Sequence, residues 1–280
     1  MITFSNLGKY GRLGNQLFQY AALKGLSVKN GYDIGLMSDM LSLTWHNQKC
    51  LLSNFNLNYP TTNTVGRVYN QPGNAQTFDE NFFDLEDGVD LLGFFQNLNY
   101  FHFCEQQIKE DLKINSKIQK NCEEYLERFD GTIVSVHFRR GDNIVYDKYS
   151  QKPLHIGLDL DVIDTHIKNA VSYFNDHVNF LLFTGGSRLS GEDNTDDVAY
   201  LKDTYQSGKF FYSETNDPMM DFCLMTKCHH NIISHDSTFS WWAAYLNQHD
   251  DRIVICPKHH KSLDQTIEYK DFYPDNWVKL

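Results

Sequence analysis

From Thr132 onward, segments with a strand-like pattern alternate with segments of helical period, and that alternation restricts the fold more than any other feature of the chain. Thr132 to Phe138 reads as a β-branched strand, about Asp161 to Phe174 as a helix, and Asn179 to Thr184 as a strand. A helix near Asp196 to Tyr205, short strands at Phe210-Phe211-Tyr212 and Asn231 to Ser234, a helix from Phe239 to Leu246 and a strand from Arg252 to Cys256 follow. Strands separated by helices predict a parallel sheet covered on both faces, so the expected class is α/β.

The amino-terminal part opens in the same way. Ile2-Thr3-Phe4 reads as a strand, Gly8, Gly11 and Gly14 as a loop, and about Asn15 to Lys24 as a helix carrying Leu17, Phe18, Ala21 and Ala22 on one face. Leu41 to Phe78 is rich in Asn, Thr and Pro without a sustained period, which predicts irregular chain and short strands. Leu91 to Phe95 reads as a buried strand and Cys104 to Phe129 as helical. A boundary near Phe129 divides the chain into domains 1–129 and 130–280.

At 280 residues the chain can bury one large core or two medium ones. A formal net charge of −11 argues against a nucleic-acid or anionic-membrane surface, so an anionic ligand would need a local cluster of cations. No stretch is long and apolar enough to span a bilayer, and Met1 to Asn6 lacks the basic region and apolar core of a signal sequence, which leads to the expectation of a cytoplasmic protein. Cys50, Cys104, Cys122, Cys223, Cys228 and Cys256 show no C-x-x-C spacing and lie mostly in apolar context, as buried reduced thiols would.

Three segments carry chemistry. The strand from Thr132 delivers His137, Arg139, Arg140 and Asp142 to one turn at Gly141. On an extended strand Val134, Val136 and Phe138 share one face and Ser135, His137 and Arg139 the other. Two guanidinium forks beyond a strand's carboxyl end suit a pyrophosphate, and the alternative is a structural pair bridging to Asp142 or to main-chain carbonyls. Gly8 to Gln16 is a glycine loop running into a helix start, able to meet an anion or a sugar, or simply a tight turn. Its spacing is not the dinucleotide fingerprint. In His230 to Leu246 a strand breaks into His235-Asp236-Ser237-Thr238 before a helix. Those hydroxyls cap the helix, or with its N–H groups they take a phosphate.

Other groups compete for attention. Asp159-Leu160-Asp161 has the D-x-D spacing of metal-dependent glycosyltransferases, yet it precedes a helical pattern in which a carboxylate serves as a cap. The pairs His229-His230 and His259-His260 lack the i, i+4 spacing of helical metal ligands.

Taken together, these segments resemble the α-1,2-fucosyltransferases of bacterial glycosyltransferase family 11, relatives of the α-1,6- and protein O-fucosyltransferases. The match runs from Gly11-Arg12-Leu13-Gly14-Asn15-Gln16-Leu17-Phe18-Gln19-Tyr20-Ala21 through Gly93-Phe94-Phe95-Gln96 and Tyr100-Phe101 to Val134–Asp142. It continues through Cys228 to Ile233, Ser237 to Ala244 and Pro274-Asp275-Asn276-Trp277.

The resemblance implies a GT-B-like architecture of two Rossmann-like domains facing a cleft, with an acceptor-side domain before Phe129 and a donor domain after it. It implies inverting, metal-independent transfer of L-fucose from GDP-β-L-fucose to the 2-hydroxyl of a galactosyl glycan, with no cofactor, and an oligosaccharide or lipid-linked acceptor at the cytoplasmic face of a membrane. By position, Arg139 and Arg140 would hold the diphosphate, and Ser237, Thr238 and Phe239 would meet it from the helix start. Gly14, Asn15 and Gln16 would approach the donor from the first domain. His137 would orient the nucleotide or its sugar, and Asp142 or His137 is the candidate base. The chain departs from the family at Thr184-Gly185-Gly186, where many relatives carry aspartates of which one reads guanine. Asp193, Asp196 or Asp197 would have to substitute. That departure keeps open a related GDP-deoxysugar such as colitose, and a catalytically silent nucleotide- or glycan-binding protein is the alternative of a different class.

Overall fold

A computed structural model describes residues 1–42, 44–45, 48–139, 160–175, 177–185, 195–258 and 271–280. The chain forms two compact units, Met1–Ser116 with Lys270–Pro274, and Lys117–Tyr269 with Asp275–Leu280. The first contains strands β1 (Ile2–Thr3), β2 (Ile34–Met37), β3 (Thr44–Trp45), β4 (Gln48–Lys49), β5 (Thr61–Thr62), β6 (Arg67–Asn70) and β7 (Val89–Leu92). Five of them form a parallel sheet in the order β5-β2-β1-β7-β6, and β3 pairs with β4 in an antiparallel hairpin.

Helix α1 (Leu13–Asn30) fills the interior of this unit, with Leu17, Phe18, Tyr20, Ala21 and Ala22 fully buried. Gly25 is required there: a Cβ at this position would sit 1.9 Å from the Tyr100 carbonyl oxygen. The aromatics between Tyr69 and Tyr100 are mainly core. Phe82, Phe95 and Tyr100 are fully buried and meet with ring centroids 4.7–5.7 Å apart.

The second unit has a six-stranded, wholly parallel sheet of β8 (Thr132–Phe138), β9 (Val178–Thr184), β10 (Phe210–Tyr212), β11 (His230–Ile232), β12 (Val254–Cys256) and β13 (Val278–Lys279). Its order is β10-β9-β8-β11-β12-β13, the doubly wound arrangement in which winding reverses between β8 and β11. The predicted face alternation of β8 holds: Val134, Val136 and Phe138 pack with Ile163 and Ile167 of one helix, Leu201 of another and Tyr205 just after it. Helices α2 (Glu105–Asp111), α3 (Ser116–Leu126), α4 (Leu160–Ser172), α5 (Thr195–Thr204), α6 (Pro218–Lys227) and α7 (Thr238–Tyr245) complete the described α-helices of the two units. All six cysteines are buried free thiols, as expected. No helix among the described residues is long and apolar enough to cross a membrane.

Several boundaries differ from the sequence expectation, each for a local reason. The helical stretch from Cys104 to Phe129 is broken, because Ile114 bridges to Phe55 and Asn115 N–H donates to the Asn54 carbonyl at 2.8 Å. The compact units divide after Ser116, the first residue of α3. Glu123 of that helix pairs with Lys227 at 2.6 Å, and Cys122 Sγ lies 3.8 Å from the Met220 carbonyl. The strand predicted at 91–95 stops at Leu92, and Phe95 takes φ 52° where Gln71 Oε1 accepts the Phe94 and Phe95 N–H groups.

Candidate functional site

In the second unit, β8 and β11 run side by side with Ile232 opposite Val136, so their carboxyl ends open at the sheet's reversal point. Ligands of open α/β sheets bind outside such ends because the flanking crossover helices diverge there. His137 lies on the face of β8 opposite Val134 and Val136, is 7% exposed, and packs its ring 6.0 Å from that of Phe239. Phe239 in turn meets Phe222 of α6 at 5.2 Å. Arg139 N–H donates to Ser234 Oγ at 3.2 Å, and its Nη1 donates to the Asp236 carbonyl.

The loop at 234–237 runs straight into α7. Asp236 adopts φ 50°, and Ser237 is the N-cap, its Oγ accepting the Ser240 N–H at 3.2 Å. The capping role expected of these hydroxyls is therefore real. It leaves the first N–H groups of α7 without intrahelical acceptors, as at any helix start, in a position favourable to negative charge. Below this loop His166 Nε2 contacts the Ile233 carbonyl at 3.0 Å, and burial holds the His166 pKa below the ordinary histidine value. Its ring packs 5.2 Å from that of His235.

The structure thus brings His137, Arg139, Ser237, Thr238 and Phe239 together. Arg140 and Asp142 lie outside the described residues, as do Asp159, Gly186, Asp193, His259 and His260. Gly185 follows β9, Asp196 lies in α5, and Asp197 is buried. Asp161 falls in the first turn of α4. Among the described residues no group of three His, Cys, Asp or Glu could hold a metal ion. The His229 and His230 Nδ1 atoms accept main-chain N–H groups of Ile133 and Ile253 at 3.0 and 3.1 Å, so this pair fastens strands.

The first unit builds a separate feature at the carboxyl ends of β1 and β7. Gln16 Nε2 donates to the Gly8 and Gly11 carbonyls at 3.2 and 2.9 Å, which makes its amide the internal clasp of the glycine loop. Gly14 is buried beside it. Gly11 takes φ +84°, and a Cβ there would strike Asn15 at 2.7 Å. Asn15 Oδ1 accepts Gln96 Nε2 at 3.0 Å.

Sequence reasoning missed two further supports of this edge. Asp90, 1% exposed, accepts the Thr3 and Ser5 hydroxyls at 2.6 and 2.7 Å. Gln19 joins the Tyr10 and Gly93 carbonyls at 2.9 and 3.2 Å. A carboxylate inside an apolar strand and a glutamine on the buried face of a helix were the available signals.

Comparison with known proteins decides the family. The sequence model of glycosyl transferase family 11 matches residues 4–280. The chain belongs to that family. It is 26% identical over 297 residues to the O-antigen biosynthesis glycosyltransferase WbnK of Escherichia coli, covering 89% of this chain and 92% of that protein. It is 24% identical over 300 residues to an Escherichia coli alpha-1,2-colitosyltransferase, covering 96% of each. The galactoside alpha-(1,2)-fucosyltransferase 2 of Gorilla gorilla gorilla is 25% identical over 256 residues, covering 86% of this chain and 68% of that protein. Among solved structures, NodZ alpha-1,6-fucosyltransferase soaked with GDP-fucose shares the fold, with a TM-score of 0.52 and 16% identity over 88% of this chain and 92% of that one. POFUT1 in complex with GDP gives 0.51 and 12%, over 89% and 94%. The family member is a glycosyltransferase of the GT-B-like α/β class.

Proposed function

We propose that the chain transfers L-fucose from GDP-β-L-fucose to the 2-hydroxyl of a galactosyl glycan, inverting the anomeric centre without a metal ion. The observation that carries this reading is the junction of Arg139 with the loop before α7, which sets a permanent cation beside a helix start at the reversal point of a doubly wound sheet. As the sugar–phosphate bond breaks, charge builds on the departing GDP, and preorganised donors are the means of meeting it.

In this reading Arg139 and Arg140 take the diphosphate, and the α7 start receives it through Ser237, Thr238 and Phe239. His137 braces the donor against Phe239. The 130–280 region is the donor side and the 1–129 region the acceptor side, with Gly14, Asn15 and Gln16 shaping the loop that approaches the donor. Asp142, or His137 in its place, takes the proton of the acceptor hydroxyl.

A cytoplasmic enzyme acting on an oligosaccharide or a lipid-linked glycan fits the relative named for O-antigen biosynthesis. A thermal-shift comparison of GDP with UDP, ADP and CMP tests the donor side, because bound ligand raises stability with the logarithm of occupancy. Stabilisation by GDP alone is expected, and equal response to UDP would overturn the assignment.

A second donor enters because the alpha-1,2-colitosyltransferase matches 96% of this chain. Purified protein offered GDP-fucose and GDP-colitose in competition separates the two.

A further inference from the structure

Many aromatic rings of the first unit are buried against one another, but Tyr10 reaches the surface. Tyr10 is 37% exposed, and its ring stacks on half-buried Phe94 with centroids 4.5 Å apart and planes 16° from parallel. Tyr10 belongs to the glycine loop after β1, and Phe94 follows β7. These two strands are parallel neighbours in the first sheet.

The pair is held in place from below. Gln19, fully buried, donates to the carbonyls of both Tyr10 and Gly93, and Gln71 Oε1 accepts the Phe94 N–H at 2.9 Å. Nearby, half-buried Gln76 donates from Nε2 to Oε1 of buried Gln96, and Gln96 Nε2 donates to Oδ1 of half-buried Asn15, each at 3.0 Å. A flat ring fixed at its backbone and set beside amide groups has the two chemistries a pyranose asks for: an apolar surface for its C–H face and polar groups for its hydroxyls.

We propose that Tyr10, backed by Phe94, is the platform on which the acceptor's sugar ring stacks. A β-galactoside suits it, because the axial 4-hydroxyl leaves the opposite face of the ring with the C3, C4 and C5 hydrogens. This inference rests on the transferase reading above and assigns its acceptor a place.

The test uses the full chain with lactose as probe. Tyr10→Ala is expected to raise the lactose KM at least about tenfold, the loss of one ring contact, with the GDP-fucose KM unchanged, and Tyr10→Trp to restore it. Saturation-transfer NMR with lactose, which needs no turnover, is expected to show the strongest transfer at galactosyl H3, H4 and H5 in the wild type and to lose it in Tyr10→Ala. An unchanged lactose KM in Tyr10→Ala, a rise confined to the donor KM, or absence of the lactose signal in the wild type would overturn the platform. Failure of GDP-fucose transfer to any galactoside, with the lactose signal intact and lost in Tyr10→Ala, would instead sink the transfer reading and keep the platform.

Discussion

Arg139 donates from Nη1 to the main-chain carbonyl of Asp236, joining the end of β8 to the residue before the N-cap of α7. This bond fastens the loop before α7 to the end of β8.

Arg139→Ala is expected to lower transfer by at least about a hundredfold, the loss typical of one preorganised donor, together with a lower melting temperature from the released loop. Arg139→Lys keeps the charge but lacks the planar fork, and falls between. Arg140→Ala is expected to cost a similar factor. Turnover near wild type in the alanine variants would remove these arginines from the mechanism.

Transfer is expected to persist in excess EDTA, since the proposed charge on the departing GDP is met by arginine and by a helix start. Activity lost to chelator and restored by Mn²⁺ or Mg²⁺ would revive the Asp159-Leu160-Asp161 segment as a metal site.

Acid should loosen the second unit. Burial, foremost, holds the His166, His229 and His230 pKa values below the ordinary histidine value. The unfolded chain then binds more protons than the folded one as pH falls below about 6.5, so these groups contribute stability that is complete above that point and lost through the lowered folded values. The geometry agrees: a protonated Nδ1 on His229 or His230 cannot accept the Ile133 or Ile253 N–H. Melting temperatures measured from pH 8 to pH 5 should fall at the acid end, and a flat profile would contradict the assignment.

Gly25→Ala is expected to destabilise the first unit by about 3 kcal/mol, the upper part of the range for overpacking, because the clash is with the rigid main chain of Tyr100. The midpoint of urea unfolding measures it. A shift within error of wild type would mean that α1 and the Tyr100 turn separate freely.

Much of this was legible in the residues. The β8 alternation, the helix at Thr238–Tyr245 and the parallel sheet all follow from periodicity and capping, and the family resemblance rested on motifs spread over the chain. What escaped was local structure decided by distant partners. The helix Pro218–Lys227 is apolar around much of its circumference, so its period was faint, although Asp217 before Pro218 is a start signal. Strand β13 looked like a tail until its pairing with β12 was known. Tyr10 and Phe94 stand far apart in sequence, and only the alignment of β1 with β7 shows that they share an edge.

The segment Lys270–Pro274 belongs with the first unit, where Phe272 stacks on Phe18 at 5.8 Å and the Asp271 carbonyl accepts the Leu98 N–H at 2.8 Å. On the ribosome, then, the amino-terminal half cannot finish closing as it is made. It has to wait with Phe18 unsealed until residues 270–274 have emerged, and a truncation at Ser116 would leave that wound open for good.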